Sequence, residues 1–462
     1  MFRKLMQYHS TRGQVSGLSY IEAVMMGLAS DGGLLVPQSI PDVKSELESW
    51  RKTSYQGLAF EIMRRFLSDL PETELKHLIE KSYASFDDPL VTPVRSFDDF
   101  HVLELFHGPT LAFKDVALQF LGNLFEHVLE QRDEQLNILA ATSGDTGSAA
   151  IAGVKGKARI KIFVLYPEGK TSPLQERQMT TVLEDNVHNI ALKGSFDDCQ
   201  SLMKSVFSDL NFRNQHSLGA VNSVNWARIL AQIVYYFHAW YQLGSPERFN
   251  VSVPTGNFGN IFAGYMAREM GLPINRLILA TNSNDILTRF FNTGEYSKGT
   301  VNFTESPAMD IQVASNFERY LFYELHQSSQ KVIEFMERFQ STGEVGLSLN
   351  NLRQNEAFLA GAAGDDETIE TIKYCHESYD YLVDPHTAVG IDVSRRFHQE
   401  DIPLLCLSTA HPAKFEHAMH SALPEVTVGH PTLEALKDLP ERKQLMDVDE
   451  AAVKKYLADH SL

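Results

Sequence analysis

Phe249-Asn-Val-Ser-Val-Pro254 runs into Thr255-Gly-Asn-Phe-Gly-Asn260, and that turn runs into a helical pattern from Ile261 to Met270. A short apolar run, a small polar turn and a helix follow one another without a gap. The same succession occurs three more times. Asn137-Ile-Leu-Ala-Ala-Thr-Ser-Gly144 leads into Asp145-Thr-Gly-Ser-Ala-Ala-Ile-Ala152. Arg276-Leu-Ile-Leu-Ala-Thr-Asn282 leads to Asp285-Ile-Leu-Thr-Arg289, and Pro403-Leu-Leu-Cys-Leu-Ser-Thr-Ala410 leads to Pro412-Ala-Lys-Phe-Glu416. Arg159–Tyr166 and Val187–Leu192 add two strand candidates. Short apolar strands alternating with helices predict an α/β fold built on mostly parallel sheets with flanking helices. Ligands in such sheets bind beyond the C-terminal strand ends, where these turns lie.

Residues 1–95 differ, with several helical runs and few strand signals, and predict a separate N-terminal helical domain. Ser341-Thr-Gly343 and Ala362-Ala-Gly-Asp365 read as loops within a helical region. The expected division is 1–95 as N-terminal domain, 96–130 and 220–462 as a large ligand-binding domain, and 131–219 as a smaller mobile α/β domain. The formal net charge of -18 argues against general affinity for nucleic acid or anionic membranes. No apolar run is long enough to span a bilayer. Cys199, Cys375 and Cys406 form no CxxC pair, which fits a reducing compartment, and a cytoplasmic location is expected. Cys406 reads as core within a strand. His411, His417 and His420 lack the companions of a zinc motif, so no metal is expected.

His107-Gly-Pro-Thr-Leu-Ala-Phe-Lys-Asp115 places Lys114 before an amphipathic run to Arg132. Apolar residues at Phe113, Val116, Ala117, Phe120, Leu121, Leu124 and Val128 keep the period of a helix. A lysine in the first turn meets the positive end of the helix dipole, and partial burial disfavours its charge further. Such an amine deprotonates readily, as a Schiff-base lysine must. A surface lysine at a helix start would satisfy the local residues equally. Gly256-Asn-Phe-Gly-Asn260 suits a phosphate dianion: its glycines allow close backbone approach, and the next helix offers unpaired N–H groups. An empty tight turn is the bland alternative. Ser143-Gly-Asp-Thr-Gly147 is a second such turn, open to a substrate carboxylate or simply an N-cap by Ser143 or Asp145. The hydroxyls of Ser408 and Thr409 sit at a strand end, within reach of a ring nitrogen or serving as a cap.

HGPTLAFKD, SGDTG, GNFGN and STAHPAKF, in this order, resemble the threonine synthase family, and more so its longer branch with an N-terminal domain. Tyr8-His-Ser-Thr-Arg-Gly13, Ser30-Asp-Gly-Gly-Leu-Leu-Val-Pro37, Thr171-Ser-Pro-Leu-Gln175 and Asn222-Ser-Val-Asn-Trp-Ala-Arg-Ile-Leu-Ala231 extend the resemblance over nearly the whole chain. It implies a fold-type II enzyme dependent on pyridoxal 5'-phosphate (PLP), a carbon–oxygen lyase that turns O-phospho-L-homoserine and water into L-threonine and phosphate. It implies that Lys114 carries the cofactor as an aldimine and shuttles protons. Gly256, Asn257, Phe258, Gly259 and Asn260 would hold the cofactor phosphate, and Thr409 would face the pyridine nitrogen. Ser143, Gly144, Asp145 and Thr146 would take the substrate carboxylate. An acid beside a carboxylate is awkward, so Asp145 is expected to turn outward or be protonated. Arg228, one helical face with Asn225, and Lys170 are the candidates for the substrate phosphate. A PLP-dependent phospho-lyase acting on a phosphorylated hydroxy amino acid is the nearest alternative. A phosphotransferase lacks its Walker lysine here, and a non-catalytic carrier is the remaining alternative. No nucleic-acid or membrane partner is expected, and the oligomeric state stays open, monomer included.

Overall fold

The computed structural model describes residues 5–142, 144–352 and 355–462. Its main sheet has six strands in the order Phe358–Ala362, Ile274–Thr281, Phe249–Pro254, Leu404–Ser408, His101–Glu104 and Val94–Ser96. All neighbours are parallel except Val94–Ser96, which pairs antiparallel at the edge. Every residue of Phe249–Pro254 and Leu404–Ser408 is buried. Strands covered by helices on both faces read as continuous apolar runs rather than as alternation, and that is how these runs stand in the sequence.

A second sheet is parallel throughout, in the order Gln444–Met446, Val187–Leu192, Ile160–Pro167, Leu136–Ala141 and Leu218–Gly219. Residues 442–462 were expected in the large unit, but they wrap the smaller one. Helix Glu450–His460 buries Val453 and Leu457 in the apolar cluster of Leu139, Phe163 and Ile190. The Lys161 Nζ donates to the His460 carbonyl at 2.6 Å, and the Leu462 N–H to Asn137 Oδ1 at 3.1 Å.

The N-terminal segment carries helices Tyr20–Met26, Tyr55–Met63 and Glu72–Tyr83. It also has a short antiparallel ribbon of Tyr8–Ser10 with Leu35–Pro37. It shares one apolar core with the large unit, where Tyr8 packs on Trp226. The fully buried Arg319 donates twice to the Leu35 carbonyl, at 3.1 and 3.0 Å.

Helix Trp226–Gln242 is buried from Trp226 to Trp240 and packs on helices Lys114–Arg132 and Gly259–Glu269. Helix Lys114–Arg132 also meets Asp145–Val154 at paired glycines. A Cβ on Gly153 would lie 2.5 Å from the Leu118 carbonyl oxygen, so only glycine permits this approach. At the starts of the two helices, Lys114 Nζ lies 3.8 Å from Asp145 Oδ2.

Two local expectations change. Helix Ser329–Thr342 continues through the expected loop at Ser341-Thr342 and ends on Gly343, whose φ of +79° suits glycine. Phe358–Ala362 is a sheet strand rather than part of a helical region; its Ala360-Gly361-Ala362 lacks the branched residues that signal strands.

Candidate active site

Lys114 opens its helix, as its spacing predicts. The segment before it is stitched to the end of strand Leu404–Ser408. The Phe113 N–H donates to the Thr409 carbonyl at 2.8 Å, and Ala112 bridges Ala410. Asp115 is fully buried and accepts from the Thr110 N–H and the Thr110 hydroxyl, both at 2.8 Å. That pair folds the Gly-Pro-Thr turn back on the helix start. Burial pushes the Asp115 carboxyl up to about 6, despite the Thr110 donors and the Lys414 charge. Burial also lowers the Lys114 pKa; Lys414 and Arg228 lower it further, while Asp145 opposes them. A lysine poised toward its neutral form is the species that attacks an aldehyde.

Asp145 does not turn outward. It is 8% exposed, begins helix Asp145–Val154, and points at two lysines. Its Oδ1 pairs with Lys414 Nζ at 2.8 Å and accepts from Gln175 Nε2 at 2.8 Å, while Oδ2 lies 3.8 Å from Lys114 Nζ. Burial alone would raise its pKa, but the Lys414 and Lys114 charges hold it well below the usual carboxylate range, so it is ionised rather than protonated. Gly144, at the cap of this helix, has φ +159°, and a Cβ there would meet Gln175 Oε1 at 2.6 Å. Thr142 does the local capping, accepting from the Gly144 and Gly147 N–H groups at 3.0 Å. Thr146 is half-buried, and Ser143 lies outside the described residues.

The Gly256–Asn260 turn sits between strand Phe249–Pro254 and helix Gly259–Glu269. A Cβ on Gly256 would lie 2.7 Å from the Ala308 carbonyl oxygen, and one on Gly259 would lie 3.6 Å from Ile229 Cδ1. The turn therefore abuts the first turn of the helix that carries Arg228. Phe258 adopts φ +64°, and its ring stacks on Phe291 in the core, so only its backbone faces the turn. The Asn257 carbonyl accepts from the Asn316 N–H at 3.0 Å, and its side-chain oxygen from Ser315 Oγ at 3.2 Å. Asn260 Oδ1 accepts from Tyr236 Oη at 2.9 Å, while its buried Nδ2 has no partner among the described residues. Free helix N–H groups and this unspent amide donor fit a phosphate-bearing cofactor.

Arg228 is 5% exposed, and its Nε and Nη1 have no hydrogen-bond partner among the described residues. A buried guanidinium without a carboxylate is expensive unless an anion completes it. Thr409 is buried beside Lys114 through the Phe113 contact. Lys170, the other candidate, is exposed, and its charge acts on Asp198 and Cys199 rather than on Lys114. The structure adds three residues that the sequence reading did not single out. Lys414 and Gln175 grip Asp145, and Gln178 Nε2 donates to the Thr110 carbonyl at 3.1 Å. Lys414 and Gln175 stood inside the quoted STAHPAKF and TSPLQ stretches, which were the available signal. His411 N-caps the turn Pro412–Lys414, and His417 pairs with Glu305. Among the described residues no group of three or more His, Cys, Asp or Glu side chains is placed to hold a metal.

A lysine at a helix start and a glycine turn, each following a parallel strand of the same sheet, are the arrangement of the fold-type II pyridoxal-phosphate enzymes. The family described as "Pyridoxal-phosphate dependent enzyme" matches residues 95–343, flanked by "Threonine synthase N terminus" over 7–83 and "Threonine synthase, C-terminal" over 387–457. The chain belongs to the threonine synthase family. It is 47% identical to threonine synthase of Pseudomonas aeruginosa, with 98% of each chain covered. It superposes on PLP-bound threonine synthase from Brucella melitensis with a TM-score of 0.96 and 42% identity, covering 99% of both chains. The yeast threonine synthase structure follows at a TM-score of 0.94 and 41% identity, with 98% of each covered. The protein is a PLP-dependent enzyme. No helix among the described residues is long and apolar enough to cross a membrane.

Proposed function

We propose that this protein converts O-phospho-L-homoserine and water into L-threonine and phosphate, with Lys114 as its covalent cofactor lysine. The observation that carries this reading is the meeting of a deprotonation-prone Lys114 with Arg228, whose Nε and Nη1 have no partner among the described residues, beside a glycine turn suited to phosphate. Bound pyridoxal phosphate supplies an electron-withdrawing ring that stabilises negative charge on the carbon next to the substrate amine. The Gly256–Asn260 turn holds the cofactor phosphate through backbone N–H groups and the Asn260 amide. Thr409 offers its hydroxyl to the pyridine nitrogen. The backbone N–H groups of Asp145 and Thr146, in the helix turn that Gly144 opens, receive the substrate carboxylate. Arg228 takes the substrate phosphate through Nε and Nη1 and stabilises it as it leaves. Lys114, once free, takes a proton from the carbon beside the amine and returns protons along the chain. The unit built on the five-stranded sheet closes to keep water out until the phosphate has gone. Three buried cysteines, all unbridged, suit a reducing, cytoplasmic setting.

Product analysis tests this. Purified protein given PLP and O-phosphohomoserine should release threonine and phosphate in equal amounts. Phosphate with an oxo-acid and no threonine would replace the reading with a phospho-lyase.

A further inference from the structure

Lys414 ends the short helical turn Pro412–Lys414, and its side chain is wholly buried. Its Nζ has two partners, the Thr110 carbonyl at 2.7 Å and Asp145 Oδ1 at 2.8 Å. Two lysines therefore share one buried carboxylate, unequally: Lys414 touches it, and Lys114 stands 3.8 Å from the other oxygen. The arrangement spans the two sheet units, since Thr110 and Lys414 belong to the large one and Asp145 and Gln175 to the smaller. The charged groups acting on Lys114 are Asp145, Lys414, Arg228 and Asp115. With Lys414 removed, Asp145 would become a dedicated counter-ion for Lys114, and a close carboxylate keeps an amine protonated. A protonated amine cannot attack a carbonyl.

We propose that Lys414 is a positioning residue: by claiming Asp145 it keeps Lys114 available as a neutral amine and fixes the helix start that presents the Gly144–Thr146 backbone. This rests on Lys114 being the cofactor lysine. Lys414 acts through Asp145, the carboxylate its Nζ touches. Gln175 assists from the opposite side, donating to the same Oδ1.

The test measures the ionisation of Lys114 in the full-length chain without cofactor, as the pH dependence of its acylation, read by peptide mass spectrometry. Lys414→Met should move the Lys114 midpoint up by about one unit or more, the size expected when a close opposite charge is left unshared. Asp145→Asn should move it down. Asp145→Asn/Lys414→Met, a neutral pair, should lie between, and Lys414→Arg should stay near the parent. If Lys414→Met does not fold, Lys414→Gln takes its place, because it also removes the charge while keeping a donor for the Thr110 carbonyl. A midpoint unmoved by loss of the Lys414 charge, or raised as much in the Asp145→Asn background as in the parent, overturns the proposal. Borohydride trapping of cofactor on the parent separates the two readings. Label away from Lys114 defeats the functional assignment, whereas label on Lys114 with unmoved midpoints defeats only the role of Lys414.

Discussion

Replacing Arg228 by Met should stabilise the ligand-free protein while weakening its grip on phosphate. Arg228 is 5% exposed, its Nε and Nη1 have no hydrogen-bond partner among the described residues, and burial lowers its pKa to about 10. At about 1.36 kcal/mol per pH unit, holding the charge in place at neutral pH costs about 3 kcal/mol. Met keeps the apolar stem and removes the charge, as when a buried ion is exchanged for a well-packed apolar side chain. Part of that 3 kcal/mol should reappear as added stability in urea titrations. The loss on binding runs the other way. Two charge-assisted hydrogen bonds at about 1.5 kcal/mol each amount to an affinity about 100-fold weaker for inorganic phosphate as an inhibitor. With PLP bound, so that the Gly256–Asn260 turn is filled, phosphate should raise the urea midpoint of the parent and leave that of the variant nearly unmoved. If Arg228→Met unfolds more easily than the parent and inhibition by phosphate is unchanged, Arg228 is a structural residue and the phosphate site must lie elsewhere.

Gly256→Val should lower PLP affinity at least tenfold, since even a Cβ meets the Ala308 carbonyl at 2.7 Å; equilibrium dialysis of cofactor would check it. Thr409→Ala should shift the absorption band of the bound cofactor with a smaller loss of affinity, and an unchanged spectrum would remove Thr409 from the site. His107 bonds Asp87 at 2.7 Å and Glu104 at 3.0 Å; burial works against its charge, but these two carboxylates win and raise its pKa above 6.5. A raised folded-state value means this stabilisation is complete below pH 6.5 and fades as pH climbs through the higher value. His107→Gln should therefore lower the urea midpoint more at pH 6 than at pH 9, and equal losses would show that the pair is not ionic.

The strands, turns and helix starts around the site were legible because buried parallel strands and glycine turns leave local marks. Lys114, Gly256 and Gly259 announce themselves by their neighbours. What stayed hidden depends on contacts between distant segments. Gln444–Met446 completes the smaller sheet with two of its three residues exposed, so no apolar run betrays it. Asp145 looked misplaced beside a carboxylate site because its partner, Lys414, is 269 positions away and joins it only through the meeting of two units. Nothing local in Pro412-Ala-Lys414 says that the lysine side chain is sealed. Arg228 was visible as a candidate, but only the fold shows that it is buried and that no acidic side chain among the described residues pairs with it.

Every step of the proposed chemistry passes through Lys114. Borohydride reduction of the protein with bound PLP, followed by digestion and mass spectrometry, should place the pyridoxyl group on the peptide containing Lys114, with Lys114→Ala unlabelled and inactive. Label on Lys414 or any other lysine, or full turnover by Lys114→Ala, would contradict it.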